Sequence, residues 1–165
     1  MLIWITGLPG SGKSTLANEL QGVLSNKGIP CVSLDGDALR SILPCEVGFS
    51  LSDRERISLF YAHLASAIES TDVFVICSFV SMFEVPRKIA KDLSTSYFEV
   101  FIDPPIAKLI EFNKKSLYKS SSEESVASQV SSFQFPASSD YVINEVVDIF
   151  NSKPHGCAVL SRIGV

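Results

Sequence analysis

The chain has 165 residues, 46% of them apolar, which corresponds to one globular domain over residues 1–165. Its formal net charge of −4 argues against the positive field typical of nucleic-acid-binding proteins. Four cysteines lie far apart without a C-x-x-C pair, and the first apolar run is too short for a signal peptide or a membrane span. These features exclude a disulfide framework and favour a soluble, cytoplasmic protein with reduced thiols.

A phosphate-binding loop follows the first predicted element, a buried strand at residues 2–6. The segment G-L-P-G-S-G-K-S-T at 7–15 satisfies the pattern G-x-x-x-x-G-K-[ST]. Glycines let backbone N–H groups approach phosphate oxygens, and the N-terminus of the following helix adds positive charge. We expect Lys13 to reach the outer phosphates of a nucleoside triphosphate and the Ser14 hydroxyl to bind Mg²⁺. The predicted nucleotide site comprises Gly7, Leu8, Pro9, Gly10, Ser11, Gly12, Lys13, Ser14 and Thr15.

Helical and strand-like patterns alternate along the rest of the chain. They predict helices over 13–26 and from Ser52 or Asp53 to about 70, and strands over 31–34, 72–78, 98–102 and 141–143. The long helix is expected to carry Ile57, Phe60, Leu64 and Ile68 on one apolar face. Such alternation predicts a doubly wound α/β fold, a mostly parallel sheet with helices on both faces. The serine-rich stretch 119–132 predicts a mobile lid, with outer bounds of about 112–136.

Acidic residues follow the second predicted strand, at the sheet edge where ligands bind in α/β folds. Phosphoryl transfer to an alcohol needs a carboxylate near the attacking hydroxyl or the metal, and Asp37 is placed for that role. The structural alternative is a helix cap at Asp37, and the two roles can coexist. Further along, Phe49 and Arg54 suit a flat nucleobase beside an anionic group.

Together these residues resemble the adenylylsulfate kinase family of phosphate-loop kinases. The resemblance spans roughly residues 2–119 and depends on an ordered set of segments. They are G-L-P-G-S-G-K-S-T at 7–15, L-D-G-D-A-L-R at 34–40, G-F-S-L-S-D-R at 48–54, S-F-V-S at 78–81 and, more weakly, K-S-L-Y-K at 115–119. The resemblance implies ATP- and Mg²⁺-dependent phosphorylation of the ribose 3′-hydroxyl of adenosine 5′-phosphosulfate, a step of sulfate assimilation.

The resemblance also implies roles for single residues. Asp37 would serve the accepting hydroxyl and, with Ser14, the metal. The implied catalytic residues are Lys13, Asp37, Arg54 and Ser81. The implied acceptor-binding residues are Asp35, Arg40, Phe49, Arg54, Val80, Ser81 and Lys115. Ser81 matches a serine that some members carry phosphorylated. The implied partner is a small nucleotide acceptor, with no nucleic acid or membrane, and a homodimer is one alternative for the assembly.

Departures from the family pattern concentrate on the acceptor side. Ile57 stands where an asparagine is expected, and Met82 replaces the proline that usually follows Ser81. The lid pattern D-P-K-G-L-Y has become N-K-K-S-L-Y at 113–118, and a later phenylalanine-threonine-glycine element is missing. A site that loses polar partners changes its discrimination between substrates. Two alternatives therefore stay open: a kinase of another activated nucleotide, such as cytidine diphosphoramidate used in surface-polysaccharide decoration, or a non-catalytic nucleotide-binding module.

Overall fold

A computed structural model of the chain describes residues 1–43, 48, 50–81, 83–112 and 133–165. Over these residues strands and helices alternate. In chain order they are β1 (Leu2–Gly7), α1 (Lys13–Asn26), β2 (Cys31–Asp35), α2 (Gly36–Ser41), α3 (Leu51–Glu69), β3 (Phe74–Ser78), α4 (Glu84–Leu93), β4 (Tyr97–Ile102), α5 (Ile106–Glu111), β5 (Tyr141–Ile143) and α6 (Ser152–Arg162). The sheet order is β2-β3-β1-β4-β5, and every pairing between the described strands is parallel. The predicted doubly wound fold is confirmed.

Strand β1 forms the centre of the sheet, and all of its residues are buried. Alternate side chains of a strand point to opposite faces. Ile3 and Ile5 pack in one apolar cluster with residues of α1 and α6, whereas Leu2 and Trp4 pack in another with residues of α3 and α4. This unbroken apolar strand is what a parallel sheet covered on both faces requires.

The carboxyl ends of three neighbouring strands meet at one edge of the sheet. Strand β1 runs into the phosphate loop at Gly7, β2 ends at Asp35, and β3 ends at Ser78. Ser78 is in register with Asp35 on one side and with Ile5 on the other. The fold therefore brings the loop and the predicted acidic residues together at the edge where α/β proteins bind ligands.

Helix α3 differs from its prediction at its start and along its buried face. The cap is Ser50, whose hydroxyl accepts a 3.1 Å hydrogen bond from the Asp53 N–H, so caps at Ser52 or Asp53 are wrong. Ser50 has the extended backbone that a cap requires, and both predicted caps already lie in the first helical turn. Phe60, predicted to share the apolar face of the helix, is 48% exposed, and Tyr61 is buried in the core instead.

Two further predictions concern the start of strand β3 and the extent of the lid. Strand β3 begins at Phe74 and not at residue 72, because residues 70–72 form a turn in which Asp72 has a φ of 61°. Most of the predicted lid, residues 113–132, lies outside the described residues. Within the part of the chain that the structure describes, no helix is long and apolar enough to cross a membrane. The single domain over 1–165 stays a prediction.

Candidate active site

Two adjoining cavities lie at the carboxyl edge of the sheet. The larger has a volume of about 330 Å³ and is lined by the phosphate loop, and the smaller has a volume of about 80 Å³. Gly36, Asp37, Arg54 and Val80 line both cavities. Ligands in the two cavities would therefore face each other across these shared residues.

The phosphate loop is held against the segment that follows β5. Gly12 caps α1 with a φ of 98°, a conformation that side chains with a Cβ rarely adopt. A Cβ at this position would lie 2.0 Å from the Val147 carbonyl oxygen. The Val147 N–H in turn donates a 2.9 Å hydrogen bond to the Ser11 carbonyl. Glycine is thus required at position 12 both by its backbone torsion and by the close approach of Val147.

Most of the predicted loop residues line the larger cavity. They are Pro9, Gly10, Gly12, Lys13, Ser14 and Thr15. The Lys13 ammonium donates a 2.8 Å hydrogen bond to the Leu8 carbonyl, which holds this charged group at the mouth of the loop. Leu8 and Ser11 are buried behind the cavity, and Gly7 ends β1. These three residues shape the loop and do not line the cavity.

Asp35 is bound to the phosphate loop through Ser14. The Ser14 hydroxyl donates a 2.6 Å hydrogen bond to Asp35 Oδ2, and the Ser78 hydroxyl donates one of 3.0 Å to the same oxygen. The other carboxylate oxygen accepts hydrogen bonds from the Asp37 and Ala38 N–H groups and caps α2. Burial raises the pKa of Asp35, but these four hydrogen bonds outweigh burial and lower the pKa below its ordinary value. Asp35 is therefore ionised at neutral pH.

Asp35, and not Asp37, has the helix-capping role that was predicted for Asp37. Asp35, predicted to bind the acceptor, lines only the larger cavity. Asp37 is exposed and lines both cavities. The reason is the position of the cap: the residue that precedes the first helical residue turns its carboxylate back onto the helix N-terminus, next to Ser14.

The hydroxyl of Ser14 and the carboxylate of Asp35 suit a magnesium ion. Mg²⁺ prefers hard oxygen ligands and is usually held by one or two carboxylates together with substrate phosphates. Among the described residues, no group of three or more histidine, cysteine, aspartate or glutamate side chains forms a metal cage. The donor set fits an ion that arrives with a nucleotide.

The smaller cavity combines two arginines with an aromatic floor. Arg40 and Arg54 line it, and Arg40 donates a 3.0 Å hydrogen bond to the Gly48 carbonyl. On the floor, the Tyr61 and Phe79 rings stack with centroids 4.5 Å apart. Burial raises the pKa of Tyr61 to about 12, so its hydroxyl stays neutral and donates to the Gly36 carbonyl. The cavity therefore offers positive charge at its rim and an apolar surface beneath.

Of the predicted acceptor-binding residues, one is described away from the two cavities and two are not described. Ser81 is fully buried and lines neither cavity, and within the described residues its hydroxyl has no hydrogen-bond partner. Its carbonyl oxygen instead accepts a 3.1 Å hydrogen bond from the Thr6 hydroxyl. Phe49 and Lys115 lie outside the described residues.

Three lining residues of the larger cavity escaped the sequence interpretation. Phe112, Val146 and Val147 add apolar side chains to its lining. The two valines follow β5 at the same sheet edge as the phosphate loop, and this position after a strand could have identified them as lining residues. Phe112 gave no local signal because its place depends on how α5 packs. An apolar wall next to a phosphate loop suits the base of a nucleotide.

The parallel sheet and the glycine-capped phosphate loop are features of the phosphate-loop kinase fold. A second cavity adjoins the loop, where such a kinase needs room for an acceptor. The sequence model described as "Adenylylsulphate kinase" matches residues 1–144. The chain belongs to the adenylylsulphate kinase family. This match covers more of the chain than residues 2–119, on which the resemblance was first identified.

Two curated proteins and one solved structure with adenylyl-sulfate kinase names are similar to the chain. The chain is 33% identical over 132 residues to a "Probable adenylyl-sulfate kinase" of Pseudomonas aeruginosa, covering 80% of this chain and 60% of that protein. It is 36% identical over 121 residues to an "Adenylyl-sulfate kinase" of Yersinia pestis, covering 72% and 57%. The structure of the Mycobacterium tuberculosis APS kinase CysC in complex with AMPPNP and APS has a TM-score of 0.84 and 27% identity, covering 99% of this chain and 97% of that one. The matched region thus spans about 60% of the length of the curated relatives named here.

Proposed function

We propose that the protein is an ATP-dependent kinase that transfers the γ-phosphate of ATP to the ribose 3′-hydroxyl of adenosine 5′-phosphosulfate, as in sulfate assimilation. The observation that carries this proposal is that Asp37 and Arg54 line both cavities. One cavity suits a triphosphate and the other suits an anionic acceptor. The M. tuberculosis relative, whose structure contains AMPPNP and APS, supports the same pair of substrates.

In the ATP half of the site, the loop amides and Lys13 would hold the phosphates, and the apolar wall at Val146 would contact the base. Ser14 and Asp35 would hold Mg²⁺, with Asp37 as the other predicted contact to the metal. When bound, the metal supplies positive charge that neutralises the phosphate oxygens. Asp35, ionised and held by Ser14 and Ser78, keeps the Ser14 hydroxyl aimed at this position.

In the acceptor half, Arg54 and Arg40 would hold the anionic part of the acceptor, and Val80 would contact its sugar or base. Asp37 would accept a hydrogen bond from the attacking hydroxyl and direct it towards the γ-phosphorus. Positioning and charge neutralisation account for most catalysis in phosphoryl transfer, so little covalent chemistry falls to the protein. Contacts from Phe49, Ser81 and Lys115 remain part of the proposal and are supported by the family pattern alone.

We also propose a partner, an assembly and a cellular compartment for the reaction. The partner is a small nucleotide, and a homodimer is one alternative for the assembly. We place the activity in the cytoplasm because ATP is supplied there and because Cys31, Cys77 and Cys157 are free thiols.

A second candidate acceptor is favoured by Ile57. This side chain is buried at the wall of the smaller cavity, at the position where the family pattern predicts an asparagine. An isoleucine offers no hydrogen bond to a substrate, and sites that depend on such bonds discriminate strongly when a partner is lost. The alternative acceptor is another activated nucleotide, such as cytidine diphosphoramidate.

An acceptor panel tests the proposal. Purified protein with ATP and Mg²⁺ is incubated with adenosine 5′-phosphosulfate, and separately with cytidine and uridine diphosphate derivatives, and products are identified by mass spectrometry. Phosphorylation of adenosine 5′-phosphosulfate supports the main proposal, and preference for a cytidine compound supports the second. Absence of transfer to every acceptor, with ATP bound, would favour the non-catalytic nucleotide-binding module.

A further inference from the structure

A buried ion pair lies close to Val80 and Ser81, a segment that we call the acceptor wall because Val80 lines both cavities. Arg87 of α4 and Glu99 of β4 are 7% and 8% exposed, and Arg87 Nε lies 3.1 Å from Glu99 Oε1. Neither residue lines a cavity among those described. Buried ion pairs contribute little net stability because desolvation offsets their attraction. The pair therefore calls for an explanation other than stability alone.

Another nitrogen of the Arg87 guanidinium contacts the backbone at two places in the chain. Its Nη1 donates a 2.8 Å hydrogen bond to the Gln134 carbonyl and a longer contact of 3.5 Å to the Ser81 carbonyl. The Gln134 side chain is fixed as well, because its Oε1 accepts a 2.8 Å hydrogen bond from the Glu84 N–H at the start of α4. One side chain thus joins β4, the loop after β3 and the backbone at Gln134.

One of these segments lines the active site, and the other packs next to it. Val80, which precedes Ser81, lines both cavities. Phe133, which precedes Gln134, and Val80 both pack against a small apolar cluster that contains Leu8 of the phosphate loop. Arg87 therefore contacts the residue next to Val80 and the residue next to Phe133, and both of these apolar side chains pack against the cluster beside the phosphate loop.

We propose that Arg87 is a positioning residue that fixes the acceptor wall by holding the Ser81 and Gln134 carbonyls while Glu99 orients its guanidinium. Arginine suits this role because its planar fork donates in several fixed directions at once, whereas a lysine ammonium is a compact charge on a flexible stem. The proposal extends the proposed function, on which it depends for the identity of the wall as the acceptor side.

The primary test is Arg87→Lys, which keeps a positive charge beside Glu99 but loses the fork. We expect the KM of the acceptor that the wild type uses to rise at least about fivefold, because small misplacements at a reacting site are costly. The KM of ATP should stay within about twofold. The matched control is Lys88→Met on the same helix, which removes an exposed ion pair with Asp92 and should change neither constant.

A second variant separates positioning from folding. Arg87→Met combined with Glu99→Met removes both buried charges, so no unpaired charge remains. It should fold, yet show the same rise in acceptor KM, because the Gln134 carbonyl has lost its arginine donor and the Ser81 carbonyl keeps only the hydrogen bond from Thr6. An unchanged acceptor KM in this folded variant, or equal rises for ATP and acceptor, would overturn the proposal.

Hydrogen exchange provides a readout that does not depend on the acceptor. In Arg87→Lys, amide exchange should accelerate in peptides covering 79–84 and 133–136 and stay unchanged in α1. Unaltered exchange in both peptides would also overturn the proposal. Failure of the proposed function would instead appear as absence of transfer by the wild type, while the exchange comparison still tests the linkage.

Discussion

The Ser14 hydroxyl and the Asp35 carboxylate are joined by a 2.6 Å hydrogen bond that connects the first turn of α1 to the end of β2. The same carboxylate caps α2, the helix whose first turn contains Asp37. A single side chain therefore sets the relative positions of the phosphate loop and the residue that faces both cavities. This connection makes Asp35 the most informative residue to change.

Asp35→Asn should reduce kcat/KM by at least about a hundredfold and raise the Mg²⁺ concentration needed for half-maximal activity. The asparagine keeps an oxygen that can cap α2 but loses the negative charge beside Ser14. Activity and its Mg²⁺ dependence are measured with the acceptor identified by the panel. Ser78→Ala is the control, since it removes one donor to the same oxygen and should cost far less. Wild-type Mg²⁺ dependence in Asp35→Asn would contradict the proposal that Asp35 and Ser14 hold the Mg²⁺ ion.

The lowered pKa of Asp35 also predicts how stability depends on pH. Because its pKa in the folded protein lies below the ordinary 3.8, the ionised carboxylate stabilises the fold above about pH 4, and this contribution is lost as pH falls through the folded pKa. Urea denaturation of the wild type and Asp35→Asn at pH 7 and near pH 3 measures it. The wild type should be more stable at pH 7, and the difference should shrink at pH 3. A difference independent of pH would show that the charge does not contribute.

The glycine at the loop–helix junction gives a test of packing. Gly12→Ala should destabilise the fold by at least about 2 kcal/mol, because a left-handed backbone conformation alone costs about 1–3 kcal/mol and the new Cβ meets the Val147 carbonyl. Gly22→Ala in the same helix meets no atom within 4 Å and should stabilise by about 0.5–1 kcal/mol. Thermal or denaturant unfolding of both variants measures the contrast. Equal effects would mean that Gly12 is not closely packed.

Ile57 tests which acceptor the smaller cavity prefers. Ile57→Asn introduces a hydrogen-bonding group at this wall and should shift the ratio of kcat/KM for adenosine 5′-phosphosulfate over cytidine diphosphate derivatives upward by about tenfold or more. Ile57→Val keeps the wall apolar and is the matched control. The ratio is measured by competition between the two acceptors in one reaction. An unchanged ratio in Ile57→Asn would remove Ile57 as a determinant of acceptor choice.

Local patterns predicted the fold and the nucleotide half of the site because each depends on neighbouring residues. The apolar run before Gly7 and the spacing up to Ser14 specify a strand, a loop and a helix without reference to distant parts of the chain. The alternation of strands and helices then specifies the parallel sheet. For this reason the predicted elements agree with the structure to within a few residues.

The remaining details depend on contacts between distant segments. Asp35 and Asp37 both suit a catalytic or a capping role by sequence, and only the position of α2 relative to Ser14 decides between them. Tyr61 is buried in place of Phe60 because its ring stacks on Phe79 of another element. Val147 reaches the loop through a hydrogen bond to Ser11 across 136 positions of the chain. Periodicity within one helix or strand carries no information about such contacts.

The central claim is that Asp37 directs an acceptor hydroxyl towards the phosphate held by the loop. Its most direct test is a single-turnover measurement of γ-phosphate transfer from labelled ATP by the wild type and by Asp37→Ala. Binding of both substrates is followed by the fluorescence of Trp4, which contacts Phe79 of the acceptor cavity. We predict that Asp37→Ala binds both substrates but transfers phosphate at least about a hundredfold more slowly. Transfer at the wild-type rate by Asp37→Ala would contradict the claim.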